Sequence, residues 1–469
     1  MKRMLSVLLA ALLMLAGCAG PGGAAISQGL PGSSGDRSEE EGIPAPVRYA
    51  LSEPVYPDFP KQPQLPEEFD EKDWDVYMEN YDRYMDALLA IRGEHTGLSE
   101  AEESAIHAFT AKSLPLILRG REGENTVYSP LSLWSALAML SQCAGGNSRR
   151  QVLNAIGAED TDSLQEMAEH VWRTLYTDDG VSALLLANSV WLNSNLQGVY
   201  VQDTLDTLAR KYYAGAYSVP MGTGEAEQAV TGWVKNQTNG LIGGDQPVVK
   251  TRPETLAMLV SSLYYRAAWT DEFSESRTQE DTFTDTAGNE SKADFMHKTQ
   301  DANFIRRDGW QAAALGTELG EMVFVLPDAG ISPEFLLQSP ELLSGLEFSG
   351  EDADWGEVQW SVPKFDVNSD LDLKSTLAAL GVTDLLDLDT ADLTALTDLE
   401  AFLSEARQLA RVKVDEQGVE AAAVTYIMAP GAGMPPEDPE ICVMDLDRPF
   451  LFVIRTQGVP LFVGIVNHV

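Results

Sequence analysis

Residues able to do chemistry are plentiful in this chain, but they do not fall into a catalytic pattern. The five histidines, His95, His107, His170, His297 and His468, form no close pair and no metal-ligand spacing. No Gly-x-Ser-x-Gly elbow and no phosphate-binding loop occurs. Ser361-Val362-Pro363-Lys364 satisfies a bare Ser-x-x-Lys pattern. That pattern needs a helix to bring hydroxyl and amine together, and Pro363 disfavours one, so Ser361 is assigned a structural role. The 72 acidic residues are too numerous to single out a carboxylate pair, and solvated acids are the default. The expectation is a protein with no metal, no cofactor and no catalytic activity of its own.

A different kind of chemistry is legible in DEQGVEAAAVTYIMAPGAGMPP, Asp415 to Pro436. Val419, Ala421, Ala423, Thr425 and Ile427 alternate as small or apolar residues, while Glu420 interrupts the other face, as in a strand buried on one side. No proline falls between Asp415 and Ala429, and proline returns at Pro430, Pro435 and Pro436. Because proline cannot donate to a ladder, the strand-competent stretch should end there. On these residues alone the plainer account is an edge strand followed by a flexible surface loop.

The elements that would position such a segment can be read on either side. Ser99 can cap a helix with Glu102 three residues on, and Ile106 and Phe109 line one face. Ser129-Pro130 opens a second helix with proline at its first position and Leu133, Leu137 and Leu140 on its core side. Phe450 to Ile454 and Leu461 to Val466 are near-continuous apolar runs joined through Gln457-Gly458, as expected of buried paired strands. Helices dominate the first half and strands the second, so the class is α+β. Hydrophobic residues make up 44% and charged residues 22% of the 469, enough for a sizeable core. The formal charge of −40 repels phosphate backbones, so nucleic acid is not an expected partner.

The N-terminus reads as a processing segment over residues 1–17. Lys2 and Arg3 precede an apolar run from Met4 to Leu15 too short to span a membrane, and Leu15-Ala16-Gly17-Cys18 forms a lipoprotein box. Cys18 is the expected lipidated residue, making the protein an exported lipoprotein held at the cell surface or the extracellular face of a membrane. Residues 18–72 read as an acidic Gly/Ser/Pro-rich tether, stiffened where prolines recur from Pro54 to Pro66. Trp74 to Leu89 carries Trp74, Tyr77, Tyr81, Tyr84, Met85 and Leu88 at helical spacing, which makes 73–97 an accessory amphipathic segment ahead of a domain over 98–469. With Cys18 set aside, Cys143 and Cys442 show no framework spacing, and no structural disulfide is expected.

Six stretches resemble, in order, the motifs of the serpin (serine protease inhibitor) family. Glu416-Gln417-Gly418-Val419-Glu420-Ala421-Ala422-Ala423 is similar to that family's hinge, Glu-x-Gly-x-Glu-Ala-Ala-Ala. The others are NTVYSPLSLWSALAMLSQCAGGNSRRQ (Asn125 to Gln151), AMLVSSLYYRAAWTDEF (Ala257 to Phe273), VPKFDV (Val362 to Val367), DLKSTLAALGV (Asp372 to Val382) and RPFLFVIRTQGVPLFVGIV (Arg448 to Val466). The resemblance implies helices packed around a large, mostly antiparallel central sheet, smaller sheets, and an exposed reactive-centre loop. It implies suicide inhibition of a serine protease, with a cysteine protease as the alternative, by a monomer. The protease cuts the loop, forms an acyl-enzyme and is trapped as the cut loop inserts into the sheet and distorts its oxyanion hole.

Such insertion requires small uncharged residues on the inward face, which Val419, Ala421, Ala423 and Thr425 supply, with Ala422 and Val424 between them and Gly418 as hinge. Family spacing puts the scissile bond at Ala432-Gly433, with Met434 and Met428 as alternatives. A small Ala432 suits elastase-like or subtilisin-like pockets, and no basic residue lies between Glu416 and Glu440 to suit trypsin-like ones. The resemblance assigns Asn125, Ser129, Pro130, Ser132 and Gln408 to the region where the sheet opens, and makes Cys143 a packed thiol ending a buried helix. Gln408 stands where the family usually has histidine and Ser262 where it usually has asparagine, which bears on how the central strands are held. The rival expectations are a non-inhibitory serpin-fold binding module and a lipoprotein that binds a small solute.

Overall fold

The molecule is a computed structural model that describes residues 46–63, 71–92, 97–179, 182–244, 246–339, 342–349, 353–420 and 440–469. Its two sheets gather the apolar runs of the sequence. In the first, the strand order is β1 (Ala50–Ser52), β5 (Gly215–Val219), β4 (Ala183–Asn193), β6 (Ala257–Ala268), β14 (Gly418–Val419), β13 (Leu403–Val414) and β12 (Phe365–Asp372), with β3 (Thr177–Asp178) on β4. In the second it is β15 (Glu440–Asp445), β11 (Asp354–Pro363), β8 (Glu290–Arg307), β9 (Trp310–Thr317), β10 (Gly320–Pro327), β16 (Phe450–Thr456), β17 (Val459–Val466) and β2 (Thr126–Tyr128), with β7 (Gln279–Thr284) on β8. The α+β class and the large mixed sheets agree with the expected fold.

The first sheet is buried on both faces, which is why β4 and β6 read as continuous apolar runs. Among the described residues, seven helices precede β6: α1 (Glu71–Arg92), α2 (Glu100–Leu118), α3 (Pro130–Cys143), α4 (Gly146–Ile156), α5 (Thr161–Leu175), α6 (Gln202–Lys211) and α7 (Gly224–Gln237). Behind the sheet lies α3, with Leu133, Leu137 and Leu140 buried as their spacing predicts. In front lies α7, whose Val230, Trp233 and Val234 cover Trp191, Met258, Val260 and Leu409. Local signals fixed the helix starts. Ser99 and Glu102 form the reciprocal capping box at α2, and Ser129 caps α3 with Pro130 at its first position. Strands β16 and β17 turn through Gln457 and Gly458, both at positive φ (45° and 79°), as a two-residue hairpin of this hand requires.

Part of the span read as tether lies against the domain. Ala50 and Ser52 pair with Tyr217 and Ala216 at the outer edge of the first sheet. Tyr56 stacks on Trp172 at 5.4 Å between ring centroids, and Phe59 packs on Tyr176 at 5.1 Å. The prolines around these rings do not oppose docking, because an edge strand of three residues needs few ladder bonds. Helix α1 follows and packs on α5, with the rings of Trp74, Tyr77, Tyr81 and Tyr84 in successive contact and no described side chain fully buried. Cys143 and Cys442 are both buried and unbridged, and burial pushes their thiols up to about 12 and about 11.

Candidate functional site: a slot in the large sheet

The hinge residues meet the central sheet where two of its strands part. Strands β6 and β13 run parallel and pair from Leu403 opposite Ala257 to Leu409 opposite Ser262. Beyond that row, among the described residues, nothing pairs 263–266 of one with 410–413 of the other. At the far end β14 stands between them, antiparallel to both: Gly418 lies opposite Ala268, and Val419 opposite Ala267 and Val414. Two residues of the hinge are thus already in the sheet. A Cβ on residue 418 would sit 2.3 Å from the Ala267 carbonyl oxygen, so only glycine fits this close approach. The Val419 side chain points into the core with 1% exposure.

The mouth of the slot is strapped by backbone and charge. The Trp269 and Phe273 amides donate to the Gln417 and Glu416 carbonyls at 2.9 and 3.0 Å, and the Trp269 indole donates to the Asp415 carbonyl at 2.9 Å. The Glu416 carboxylate accepts from the Thr278 hydroxyl at 2.8 Å and pairs with Lys364 Nζ at 3.1 Å. Burial would raise its pKa, but hydrogen bonds from its own backbone and from Thr278, with Lys364 beside it, hold it below the usual range.

The closed end is clasped from behind. Gln408 is fully buried and bonds both backbone groups of Ser129: the Ser129 amide donates to its Oε1 at 2.8 Å, and its Nε2 donates to the Ser129 carbonyl at 2.9 Å, an oxygen that also accepts the Leu133 amide at 3.3 Å. Ser132 and Ser261 bond hydroxyl to hydroxyl, and the Ser261 hydroxyl also donates to the Ser132 carbonyl at 3.1 Å. The first turn of α3 is thereby tied to β13 and β6 one row before they part.

Ser129, Ser132 and Gln408 come together, with Pro130 next to Ser129 at the start of α3. Asn125 does not join them; its side chain grips the C-terminal backbone, accepting from the Asn467 and His468 amides at 2.6 and 3.0 Å. Ser262 makes no strand-holding bond either. It lies opposite Leu409 on the other face of the sheet, and its buried hydroxyl has no partner. Its neighbour Ser261 does that work, because successive strand residues face opposite ways. The sequence draws notice to Lys364 only through its Ser-x-x-Lys pattern and to neither Trp269 nor Thr278, although Lys364 and Trp269 lie inside the quoted VPKFDV and AMLVSSLYYRAAWTDEF stretches.

Glu420 is the last described residue before the loop. Its φ is +46°, the left-handed region, so the chain turns out of the sheet there, yet its amide still donates to the Lys413 carbonyl at 2.9 Å. One carboxylate oxygen, Oε2, is buried without a partner. Burial pushes this carboxyl up to about 7, against the opposing pull of Arg411, Arg266 and Lys413, while Asp366 adds to the rise. Ala421, Ala422, Ala423, Val424, Thr425, Met428, Ala432, Gly433 and Met434, together with Cys18, lie outside the described residues.

A family profile described as Serpin (serine protease inhibitor) matches residues 104–469. Serpin-Z2B of Triticum aestivum is 31% identical over 371 residues, covering 72% of this chain and 89% of that protein. Antitrypsin of Bombyx mori is 26% identical over 392 residues, covering 80% and 96%. Among solved structures, a thermophilic serpin, tengpin, in its native state matches with a TM-score of 0.70 at 26% identity, covering 79% of this chain and 95% of that one. Human glycosylated kallistatin matches with a TM-score of 0.68 at 25% identity, covering 78% and 98%.

Proposed function

The chain belongs to the serpin (serine protease inhibitor) family, whose members are generally inhibitors of proteases and not catalysts, and from that premise we propose that it is a suicide-substrate inhibitor of serine proteases with small-residue preference. The observation that carries the reading is the two-residue strand β14, which fixes a register for everything behind it. On insertion, each residue further along the loop would fall opposite one residue earlier on both β6 and β13. Ala421 would face Tyr265 and Val412, and Ala423 would face Leu263 and Ala410, all in the buried core. Up to Ala423 the loop meets only unpaired backbone, which has lost ladder bonds to gain. Val424 would arrive at the row where Leu409 and Ser262 are now paired, and Thr425 at the Gln408 clasp, so further insertion must part closed strands.

Cleavage supplies the freedom for that step. An intact loop is tethered at both ends, by β14 and by β15, whereas a cut loop can run down the slot carrying an acylated protease with it. The target acts at Ala432-Gly433, with Met434 or Met428 as alternative bait, and is elastase-like or subtilisin-like in its pocket. The inhibitor works as a monomer, lipidated on Cys18 and held at the outer surface of the cell. Incubation with pancreatic elastase and with subtilisin tests the proposal. An SDS-resistant adduct is expected, together with a released C-terminal fragment whose mass locates the bait. Clean cleavage by both enzymes with no adduct would refute it. Conversion of Cys18 to serine should shift the protein from the detergent phase to the aqueous phase; unchanged partitioning removes the anchor.

A further inference from the structure

Two complementary polar groups at the mouth of the slot have been taken out of water without being joined. Arg266 Nε and Glu420 Oε2 are both buried, and neither has a hydrogen-bond partner. They share a face of the sheet. Extending the register of β14 by one residue puts Glu420 directly opposite Arg266 on β6 and Lys413 on β13. What keeps the carboxylate from that position is its own backbone, held at φ +46° where the loop turns away. For a residue with a Cβ this left-handed turn costs about 1–2 kcal/mol relative to extended backbone.

We infer that Glu420 is a positioning residue for loop insertion: it waits unpaired at the mouth of the slot, and when the loop is cut it straightens into the sheet and forms a cross-strand ion pair with Arg266 and Lys413. This rests on the inhibitory reading. The desolvation that makes most buried ion pairs expensive falls lightly here, because both unpartnered atoms are already dry before they meet. Straightening also removes the left-handed turn. The first rung of insertion therefore gains an ion pair and relieves strain together, which gives the cut loop a direction before the closed rows must part.

The charged and titratable neighbours fix the sign of the pH dependence. Arg266 and Tyr264 face Glu420 from β6, Arg411 and Lys413 from β13, and Asp366 from β12. Arg411 is already committed to Asp366, at 2.7 and 2.5 Å, and to the Leu241 carbonyl at 2.8 Å, so Arg266 and Lys413 are the cations open to Glu420. A carboxyl raised to about 7 stabilises the resting hinge fully below its ordinary value near 4.5, and that stabilisation is lost as pH rises through about 7. The paired, inserted state favours the ionised form. Insertion should gain on the resting state between pH 6 and pH 8.

The test compares intact chains with chains nicked by thermolysin, a metalloprotease that forms no acyl-enzyme, the nick being shown by mass to lie beyond Thr425. Guanidinium midpoints are measured at pH 6 and pH 8 for the natural chain, Glu420→Gln, Arg266→Gln, the double variant and Arg266→Lys. In the nicked form each Gln variant should have a lower midpoint at pH 8, the double variant should fall no further than the singles, and Arg266→Lys should stay near the natural chain. In the intact form none of these substitutions should lower the midpoint, and Glu420→Gln should raise it at pH 8, where the unpaired carboxylate is ionised. The nicked natural chain should gain on the intact one from pH 6 to pH 8, a gain missing in Glu420→Gln. Equal shifts in both forms, or no shift in the nicked form, would overturn the pairing. A natural chain that gains no stability on nicking would overturn the inhibitory reading itself.

Discussion

Removing the Gln408 clasp is the perturbation whose size the structure sets most directly. Gln408→Ala deletes two hydrogen bonds of 2.8 and 2.9 Å, leaving the Ser129 amide without a partner and the Ser129 carbonyl with only the Leu133 amide at 3.3 Å, in a place where Gln408 is 0% and Ser129 1% exposed. The orphaned amide costs about 1–3 kcal/mol and the bond lost at the carbonyl about 0.5–1.5 kcal/mol, so the substitution amounts to about 1.5–4.5 kcal/mol. A water admitted to the vacated polar space would bring the loss towards the lower end. Equilibrium unfolding of the intact chain in guanidinium, compared with that of the natural sequence, measures it. A second consequence is kinetic. With α3 no longer tied to β13, the closed rows part more readily, and every 1.4 kcal/mol of the loss that appears in the barrier speeds spontaneous loop insertion about tenfold. The assay is decay of adduct-forming capacity at 37 °C. A loss of stability below about 1 kcal/mol, with an unchanged decay rate, would refute the assignment of the clasp.

Two further outcomes follow from the same register. Ala423→Arg would force a guanidinium between Leu263 and Ala410 in the core, so cleavage should continue while adduct yield collapses; an unchanged yield counts against insertion. Glu416→Gln weakens the Lys364 pair and the Thr278 bond, costing about 1–2 kcal/mol at neutral pH with allowance for the partly exposed lysine. Because the Glu416 pKa is depressed, its contribution is present above the ordinary value near 4.5 and lost as pH falls through the lower folded value. The two proteins should therefore converge in stability towards acid, and a constant difference down to pH 2 would contradict the pairing.

Signals carried within a few residues were legible beforehand. The Ser99–Glu102 box, Pro130 at the start of α3, and the turn at Gln457-Gly458 each depend on local chemistry, and each forms as read. Features set by distant partners were not. The parallel pairing of β6 with β13 joins segments far apart in the chain, and nothing in either says where the pairing should stop. Choosing Ser262 over Ser261 shows the sensitivity: a slip of one residue exchanges a core hydroxyl for one on the opposite face. The strand at Ala50–Ser52 was hidden by the prolines around it, since composition alone does not register that Tyr56 and Phe59 have aromatic partners in α5. Glu420 was noted as an interruption of the pattern, but its orphaned neighbour Arg266 is evident only once the strands are laid side by side.

The two seated rungs of β14 also act as a ruler. In the proposed insertion, counting back along both neighbours from Val419, position 432 would fall level with residues 254 and 401, just past the far ends of β6 and β13, which begin at Ala257 and Leu403. Thirteen steps at about 3.3 Å would take a passenger attached to Ala432 roughly 43 Å beyond the level of Val419, to the far edge of the sheet. Bait at Met428 would leave it short of that edge by four rungs. With Ala432 as the proposed bait, the spacing from the hinge would match the height of the sheet, and trimming two residues from 426–431 would keep every side chain on its proper face while stopping the cargo two rungs early.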